Sequence, residues 1–243
     1  MKLSDKTAVV TGGATGIGLG IARALAAEGC CVVIAGRRED KLRQAAENWQ
    51  GLPPLLPHVV DVADRASVRT LFAWANRQLG RIDILVNSAG TNIRTRSMAE
   101  MTPEQWDQLL AINATGAYNC LYEVLPQMRQ RRDGLIINIS SMAGKRALTL
   151  GGVAYCASKF AMSALGTAVA NEVAREGIRV TNIYPGEANT PLLEQRPQPV
   201  SDERKAAMLQ PEDLGALAVL IACLPPRAHI PEVIIKPTVQ EYV

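Results

Sequence analysis

The feature of this sequence that most limits its fold is a regular alternation of short apolar runs with longer segments of helical periodicity. The apolar runs are rich in Val and Ile and lack polar alternation, which is typical of strands buried on both faces of a parallel sheet. We therefore predict an α/β fold, a Rossmann-type doubly wound parallel β-sheet flanked by helices on both faces. Strands are expected at 7–10, 31–35, 55–60, 82–86, 135–139, 180–184 and 233–235, and helices at 17–28, 39–49, 64–79, 103–110, 118–131, 155–176 and 212–224.

The length of the chain, 243 residues, suits one large α/β domain. No Pro/Gly/Ser-rich stretch or charge run marks an internal boundary, so we expect residues 1–243 to form a single domain. The run 187–209 is charged and contains proline, which indicates a mobile lid over a substrate pocket.

Composition and charge argue against several classes of function. Aromatic residues make up 4% of the chain and the net charge is only +3, so we expect no nucleic-acid partner. No apolar run is expected to approach membrane-spanning length, and residues 1–6 lack a signal-peptide pattern, so we expect a cytoplasmic protein without a membrane partner. Five cysteines and two histidines show no ligand spacing, so we expect neither a disulfide framework nor a metal site.

A glycine-rich turn follows the first predicted strand and opens the first predicted helix. Its glycines let the backbone turn tightly and approach a pyrophosphate, which the free N–H groups of the helix N-terminus would bind. A glycine turn can also serve only to tighten a strand–helix corner, but its place in the first βα unit favours nucleotide binding. The candidate phosphate-binding residues are Gly12, Thr15, Gly16, Ile17 and Gly18.

The end of the second predicted strand indicates which nicotinamide cofactor would bind. An acidic residue there would accept from the ribose 2′-hydroxyl of NAD, whereas this chain has Arg37 and Arg38. A guanidinium can bind a 2′-phosphate, so NADP(H) is favoured over NAD(H) unless both arginines only face solvent. Asp61 and Val62, which close the third strand, suit an adenine amino group, although Asp61 could instead be a simple turn residue.

Tyr155 and Lys159 lie four residues apart at the start of a predicted helix, and therefore on one face of it. Reduction of a ketone by a nicotinamide needs a proton donor beside the oxygen. The Lys159 ammonium is expected to lower the pKa of the Tyr155 phenol. Alone, the pair could also be an ordinary surface contact.

Several motifs occur together and in order, and with them the chain closely resembles the compact, single-domain branch of the short-chain dehydrogenase/reductase family. The resemblance covers residues 7 to about 192. It rests on the TGGATGIG and YCASK segments, on Asn87, Ala89 and Gly90 after the fourth strand, on Asn113, on Ser140-Ser141 after the fifth strand, and on Pro185, Gly186 and Thr190 after the sixth. It implies that the residues after the fourth and sixth strands contact the cofactor.

The resemblance also implies roles for four candidate catalytic residues. Tyr155 would be the acid/base, Lys159 would bind the nicotinamide ribose and lower the Tyr155 pKa, Ser141 would orient the substrate oxygen, and Asn113 would hold a water in a proton relay. The spacing from Ser141 to Tyr155 is one residue longer than the commonest in the family, so Ser140 stays open as an alternative. The Ser-Ser-Met-Ala-Gly context favours Ser141.

These residues predict an NADP(H)-dependent oxidoreductase that moves hydride between the nicotinamide and a small carbonyl or alcohol substrate. One alternative is a 3-oxoacyl-thioester (acyl-carrier-protein) reductase whose Arg129, Arg131 and Arg132 dock an acidic carrier. The chain end at 233–238 lacks the Val-Asp-Gly-Gly of many relatives, which argues against it. An alternative of a different class is a non-catalytic NADP-sensing protein.

The substrate pocket is expected beyond the carboxyl ends of the strands. Arg94, Ser141, Arg146 and Glu187 are the candidate substrate residues, and a guanidinium there would suit a carboxylate or polyhydroxylated substrate unless it lies at the pocket rim. Small and apolar residues on the helices around 109–128 and 155–173, among them Ala161, Ala164 and Gly166, suggest a homotetramer built through these helices, as the resemblance also implies.

Overall fold

The computed structural model describes residues 1–242 and contains one seven-stranded parallel sheet. The strand order is β3-β2-β1-β4-β5-β6-β7, so the direction of strand addition reverses between β1 and β4. The strands are β1 (Thr7–Thr11), β2 (Cys31–Gly36), β3 (Leu55–Val59), β4 (Ile84–Asn87), β5 (Gly134–Ile139), β6 (Ile178–Pro185) and β7 (Glu232–Ile235). The predicted doubly wound parallel sheet is confirmed.

Helices cover both faces of this sheet. They are α1 (Gly16–Ala27), α2 (Glu39–Glu47), α3 (Arg65–Leu79), α4 (Pro103–Leu110), α5 (Gly116–Arg131), α6 (Val153–Val173), α7 (Asp202–Ala206) and α8 (Pro211–Ala222). All predicted helices are present, with ends that differ by a few residues. The short helix α7 was not predicted, and it lies within the run 187–209.

Successive residues of each strand enter two separate cores. Val9 of β1 joins the core beneath α3 and α5, whereas Val10 joins the core beneath α1 and α8. Since both faces of the strand are covered, neither position tolerates a polar side chain. This burial explains why the strands read as continuous apolar runs in the sequence.

The starts of two helices follow from their capping residues. Thr102 and Gln105 form a reciprocal capping box before α4: the Gln105 amide donates to the Thr102 hydroxyl at 3.4 Å, and the Thr102 amide donates to the Gln105 side chain at 3.1 Å. Pro211 begins α8, where the Asp213 side chain accepts from the Gln210 amide at 2.8 Å. Local sequence therefore sets where these helices begin.

The helical stretch Val153–Glu176, which is α6 and one following 3₁₀ turn, is long and apolar enough to cross a membrane, with a hydropathy of 1.2. The expectation that no apolar run approaches this length was therefore wrong. Length and composition are weak evidence here, since the same helix packs against β6 and buries the charged side chain of Lys159. One side of the helix packs on the sheet, while several of its apolar side chains, Phe160 among them, are exposed.

Candidate active site

The turn between β1 and α1 forms one end of a cavity of about 590 Å³ at the carboxyl ends of the strands. Gly12 and Gly16 have φ values of 66° and 54°, in the left-handed region that favours glycine. A Cβ on Gly12 would lie 2.8 Å from the backbone of Ser88 and Ala89, and one on Gly18 would lie 2.3 Å from the Gly12 carbonyl oxygen. These glycines keep open a cradle that fits a dinucleotide pyrophosphate. All five predicted phosphate-binding residues line the cavity: Gly12, Thr15, Gly16, Ile17 and Gly18.

The predicted adenosine-binding residues line the same cavity. Arg37 and Arg38 are both exposed at the end of β2, and Arg38 Nη2 donates to Thr15 Oγ1 at 3.4 Å. Asp61 and Val62 form a neighbouring part of the wall, where an Asp61 carboxylate oxygen accepts from the Ala63 amide at 3.0 Å. Ala89, Gly90 and Thr190 line the cavity too, so the structure brings these predicted residues together.

A second cavity of about 150 Å³ adjoins the first. Tyr155 lines both cavities, and the hydroxyl-bearing Ser141 lines the second. Pro185 and Gly186, which were predicted to contact the cofactor, line this second cavity with Glu187. The site therefore consists of a dinucleotide-sized cavity and a small cavity that meet at Tyr155.

Ser140 and Ser141 point to different environments, which distinguishes the two candidates. The Ser140 Oγ is buried 2.9 Å from the Ser163 Oγ and donates to the Lys159 carbonyl at 3.2 Å. Ser141 instead accepts from the Ala143 amide at 3.1 Å, and its hydrogen bond to Tyr155 lowers the pKa of that phenol. These contacts favour Ser141 over Ser140 as the residue that acts on the Tyr155 hydroxyl.

Burial dominates the titration of Tyr155 and Lys159. It raises the pKa of the Tyr155 phenol, against the lowering effects of Ser141 and Arg96, and it lowers the pKa of Lys159 to about 8. Lys159 Nζ donates to the Ile139 carbonyl at 2.8 Å and lies 5.8 Å from the centre of the Tyr155 ring. The expectation that the lysine ammonium brings the phenol pKa below its ordinary value is wrong for this structure, because burial raises that pKa and the groups that lower it are Ser141 and Arg96 rather than Lys159.

Asn113 lies in a single π-helical turn, Ala111–Thr115, between α4 and α5. Its Oδ1 accepts from the Thr91 amide at 2.8 Å, while its Nδ2 donates to the Thr91 carbonyl at 3.0 Å and to the Ser158 hydroxyl at 2.9 Å. The side chain thus ties the loop after β4 to α6. The water-holding role that the family resemblance implies stays a prediction.

Asn87 is not among the residues that line the larger cavity, where its predicted contact with cofactor would lie. It is fully buried, and its Nδ2 donates to Asn138 at 3.0 Å, whose own Nδ2 donates to Asn182 at 3.0 Å. Asn182 in turn donates to the Ser163 carbonyl of α6 at 3.1 Å. Sequence reasoning missed this ladder, although asparagines in register on β4, β5 and β6 were the available signal.

Arg94 and Arg146, two of the predicted substrate residues, lie outside both cavities. Arg94 is exposed and donates to the Glu194 carbonyl at 3.2 Å, and the exposed Arg146 lies over the Tyr242 ring at 5.1 Å. The guanidiniums that line the second cavity belong to Arg96 and Arg196. A loop has no periodicity from which the direction of its side chains could be read, so the sequence could not show which arginines line this cavity.

Comparison with known proteins agrees with this architecture. The family model for short chain dehydrogenases matches residues 6–200. An uncharacterized oxidoreductase of Staphylococcus saprophyticus is 34% identical over 98% of this chain and 99% of its own, and the D-beta-hydroxybutyrate dehydrogenase of Cupriavidus necator is 34% identical over 90% and 92%. The chain therefore belongs to the short-chain dehydrogenase/reductase family, and it is an oxidoreductase that acts on CH–OH or C=O groups.

Solved structures with this fold contain different nicotinamide cofactors. An actinorhodin polyketide ketoreductase with NADPH has a TM-score of 0.88 at 28% identity, covering 100% of both chains. A serine dehydrogenase complexed with NADP+ has a TM-score of 0.86 at 28% identity, covering 97% of this chain and 96% of its own. A 3-ketoacyl-(acyl-carrier-protein) reductase from Brucella melitensis complexed with NADH has a TM-score of 0.85 at 26% identity, covering 96% and 97%.

The lowered pKa of Lys159 gives a pH dependence that can be measured. The lysine has its ordinary pKa of 10.5 in the unfolded chain and about 8 in the fold, so between these pH values the unfolded chain binds more protons. Its contribution to folding therefore becomes more favourable as the pH rises through this window. We expect the free energy of unfolding of the parent, relative to Lys159→Met, to rise by up to about 1.4 kcal/mol per pH unit in urea denaturation. A difference that stays flat or falls as the pH rises would contradict a lowered pKa for Lys159. Because Tyr155 is present in both proteins, its own titration contributes to both.

Proposed function

We propose that this protein is an NADP(H)-dependent oxidoreductase that transfers hydride between the nicotinamide and a carbonyl or alcohol, with Tyr155 as general acid/base. The observation that carries the proposal is that a dinucleotide-sized cavity and a small cavity meet at Tyr155. A proton donor at this junction can reach the oxygen of a substrate whose carbon faces the nicotinamide.

Three residues of the chain are proposed to bind and protonate the substrate and to bind the cofactor. The bound nicotinamide would supply or accept the hydride. Ser141 would hold the substrate oxygen, and Tyr155 would give it a proton during reduction, for which a phenol with a raised pKa is in the correct protonation state at neutral pH. Lys159, buried beside the opening of the cofactor cavity, would bind the nicotinamide ribose, as the family resemblance implies.

The preference for NADP(H) over NAD(H) is part of this proposal. It is supported by Arg37 and Arg38, which line the cavity where no acidic residue ends β2. The family does not decide the matter, because its solved members bind NADP+, NADPH or NADH.

The run 187–209 is proposed to act as a lid. Its 3₁₀ segment Pro191–Gln195 borders both cavities, and Arg96 Nη2 donates to the Gln195 carbonyl at 2.9 Å. Segments that close over a bound substrate exclude water from the reaction. We also propose that residues 1–243 act as one domain in the cytoplasm.

The alternative of a carrier-protein-dependent reductase finds less support. Arg129 is paired with Glu172 and Glu176, and Arg132 donates to the Arg175 carbonyl at 2.7 Å, so this cluster serves the fold itself. The non-catalytic alternative is disfavoured because Tyr155 and Ser141 line the same small cavity beside the larger one.

Removing only the phenol hydroxyl tests the acid/base. We expect Tyr155→Phe to lower kcat by about 100-fold or more, because no other group replaces the proton donor. NADPH affinity, measured by fluorescence titration, should stay within about twofold, as the ring still packs. Tyr242→Phe, which removes an exposed hydroxyl at a position that lines neither cavity, is the matched control. Turnover by Tyr155→Phe within tenfold of the parent would overturn the assignment.

Reversing one charge tests the cofactor preference. Arg37→Asp should lower the ratio of kcat/KM with NADPH to that with NADH by about 10- to 100-fold, since a carboxylate repels a 2′-phosphate and accepts from a 2′-hydroxyl. Arg43→Asp makes the same charge change on the exposed side of α2 and should leave the ratio within about threefold. A parent that uses NADH more efficiently than NADPH would refute the preference.

The proposed homotetramer is supported by exposed apolar side chains on α5 and α6, among them Tyr122 and Phe160. Ala161 and Ala164 also lie on the exposed face, whereas Gly166 is buried and takes no part. We expect light scattering at micromolar concentration to give four times the chain mass, and Tyr122→Arg to lower it. A monomeric parent is the contrary result.

A further inference from the structure

We infer that the substrate of the Tyr155 site is a small oxo or hydroxy acid whose carboxylate is bound by Arg96 and Arg196. This inference rests on the proposed oxidoreductase function and adds a substrate class to it. The reduction balances as hydride from NADPH to the ketone carbon and a proton from Tyr155 to its oxygen, which gives the hydroxy acid and NADP+.

The size of the second cavity limits the reacting part of the substrate. Its volume is about 150 Å³, which resembles that of a cavity able to hold one benzene-sized molecule. Most of the wall is apolar, formed by Met142, Ala143, Leu148, Leu192 and Leu193 among others. A compact substrate of a few carbons fits this space.

Arg196 brings a positive charge to the wall of this cavity. Its side chain is 12% exposed, and its Nη2 donates to the Glu187 carboxylate at 2.9 Å. The same carboxylate accepts from Arg204 at 2.9 and 3.1 Å. Glu187 is thus shared by two guanidiniums, and it cannot neutralise both of them.

Arg96 adds a second guanidinium that the protein leaves without a carboxylate among its described hydrogen-bond partners. Its three bonds go to the carbonyl oxygens of Ile93, Leu150 and Gln195, which are neutral. Burial lowers the pKa of Arg96, and the charge of Arg196 lowers it further, so the two guanidiniums act on each other. One side of the cavity therefore has an excess of positive charge in a partly buried place, where an anion is favoured.

The excess charge lies close to the reacting group. Arg96 and Arg196 line the same small cavity as Tyr155, and the charge of Arg96 lowers the pKa of that phenol. In so small a cavity, a carboxylate bound at the arginines would be only a few bonds from the carbonyl beside Tyr155. This spacing describes a short oxo acid rather than a long-chain acid.

Kinetics on matched acids and esters test the inference. We expect the parent with NADPH to reduce 2-oxobutanoate or 3-oxobutanoate with a kcat/KM at least about tenfold above that for the methyl ester. Arg196→Met should lower kcat/KM for the acid by about 10- to 100-fold, mainly through KM, and leave the ester within about threefold. Arg196→Met keeps Arg204 as the partner of Glu187, so no carboxylate is left unpaired.

Two further variants sharpen the test. Glu187→Gln removes the competing carboxylate and should lower KM for the acid, an effect opposite to that of Arg196→Met. Arg146→Met removes an exposed cation outside the cavity and should leave kcat/KM unchanged for both the acid and the ester. Equal losses on acid and ester in Arg196→Met, or a parent that prefers the ester, would overturn the inference.

A binding measurement separates this inference from the proposed function. Butanoate carries the carboxylate but no group to reduce, and it should raise the melting temperature of the NADPH-loaded parent, whereas butanamide should not. Arg196→Met should lose the butanoate effect. A parent that reduces neutral ketones yet shows no butanoate effect would refute the carboxylate site and leave the oxidoreductase function standing. A butanoate effect without turnover of any ketone would support the carboxylate site and refute the proposed oxidoreductase function.

Discussion

The hydrogen-bonded asparagine ladder across β4, β5 and β6 is the contact on which the geometry of the site depends. Asn182, the last member of the ladder, donates to the Ser163 carbonyl. The Ser163 hydroxyl also forms a hydrogen bond with the Ser140 hydroxyl at the end of β5. The helix can come this near because Gly166 has no side chain: a Cβ there would lie 2.1 Å from the Asn182 Oδ1. Since α6 is held at the sheet through these contacts, Tyr155 is held where the two cavities meet and Lys159 is held in the wall of the larger one.

Much of the fold was predictable because it follows from repeated local rules. Strands buried on both faces are apolar along most of their length. The turn after β1 needs glycine because a Cβ on Gly12 would clash with the backbone of Ser88 and Ala89. Those constraints act on residues near in sequence. The candidate cofactor cavity was found for the same reason, as most of its lining comes from the turns at the strand ends.

The remainder depended on three-dimensional relations that no short pattern contains. Arg94 and Arg96 are two residues apart in a loop, and only contacts with Leu150 and Gln195 show that Arg96 turns toward the second cavity. The pKa direction of Tyr155 was also misjudged, because spacing gives the nearness of a charge but not how much water the fold removes. Asn87 was assigned to the cofactor from its motif, while its register with Asn138 made it part of the interior.

The segment Pro191–Gln195 borders both cavities, which links them mechanically. Any displacement of this one stretch of chain changes the walls of both cavities together. A molecule that fixes the segment from one side therefore also reshapes the space on the other side. Occupants of the two cavities are accordingly expected to bind with coupled affinities, each altering the binding of the other by the same factor.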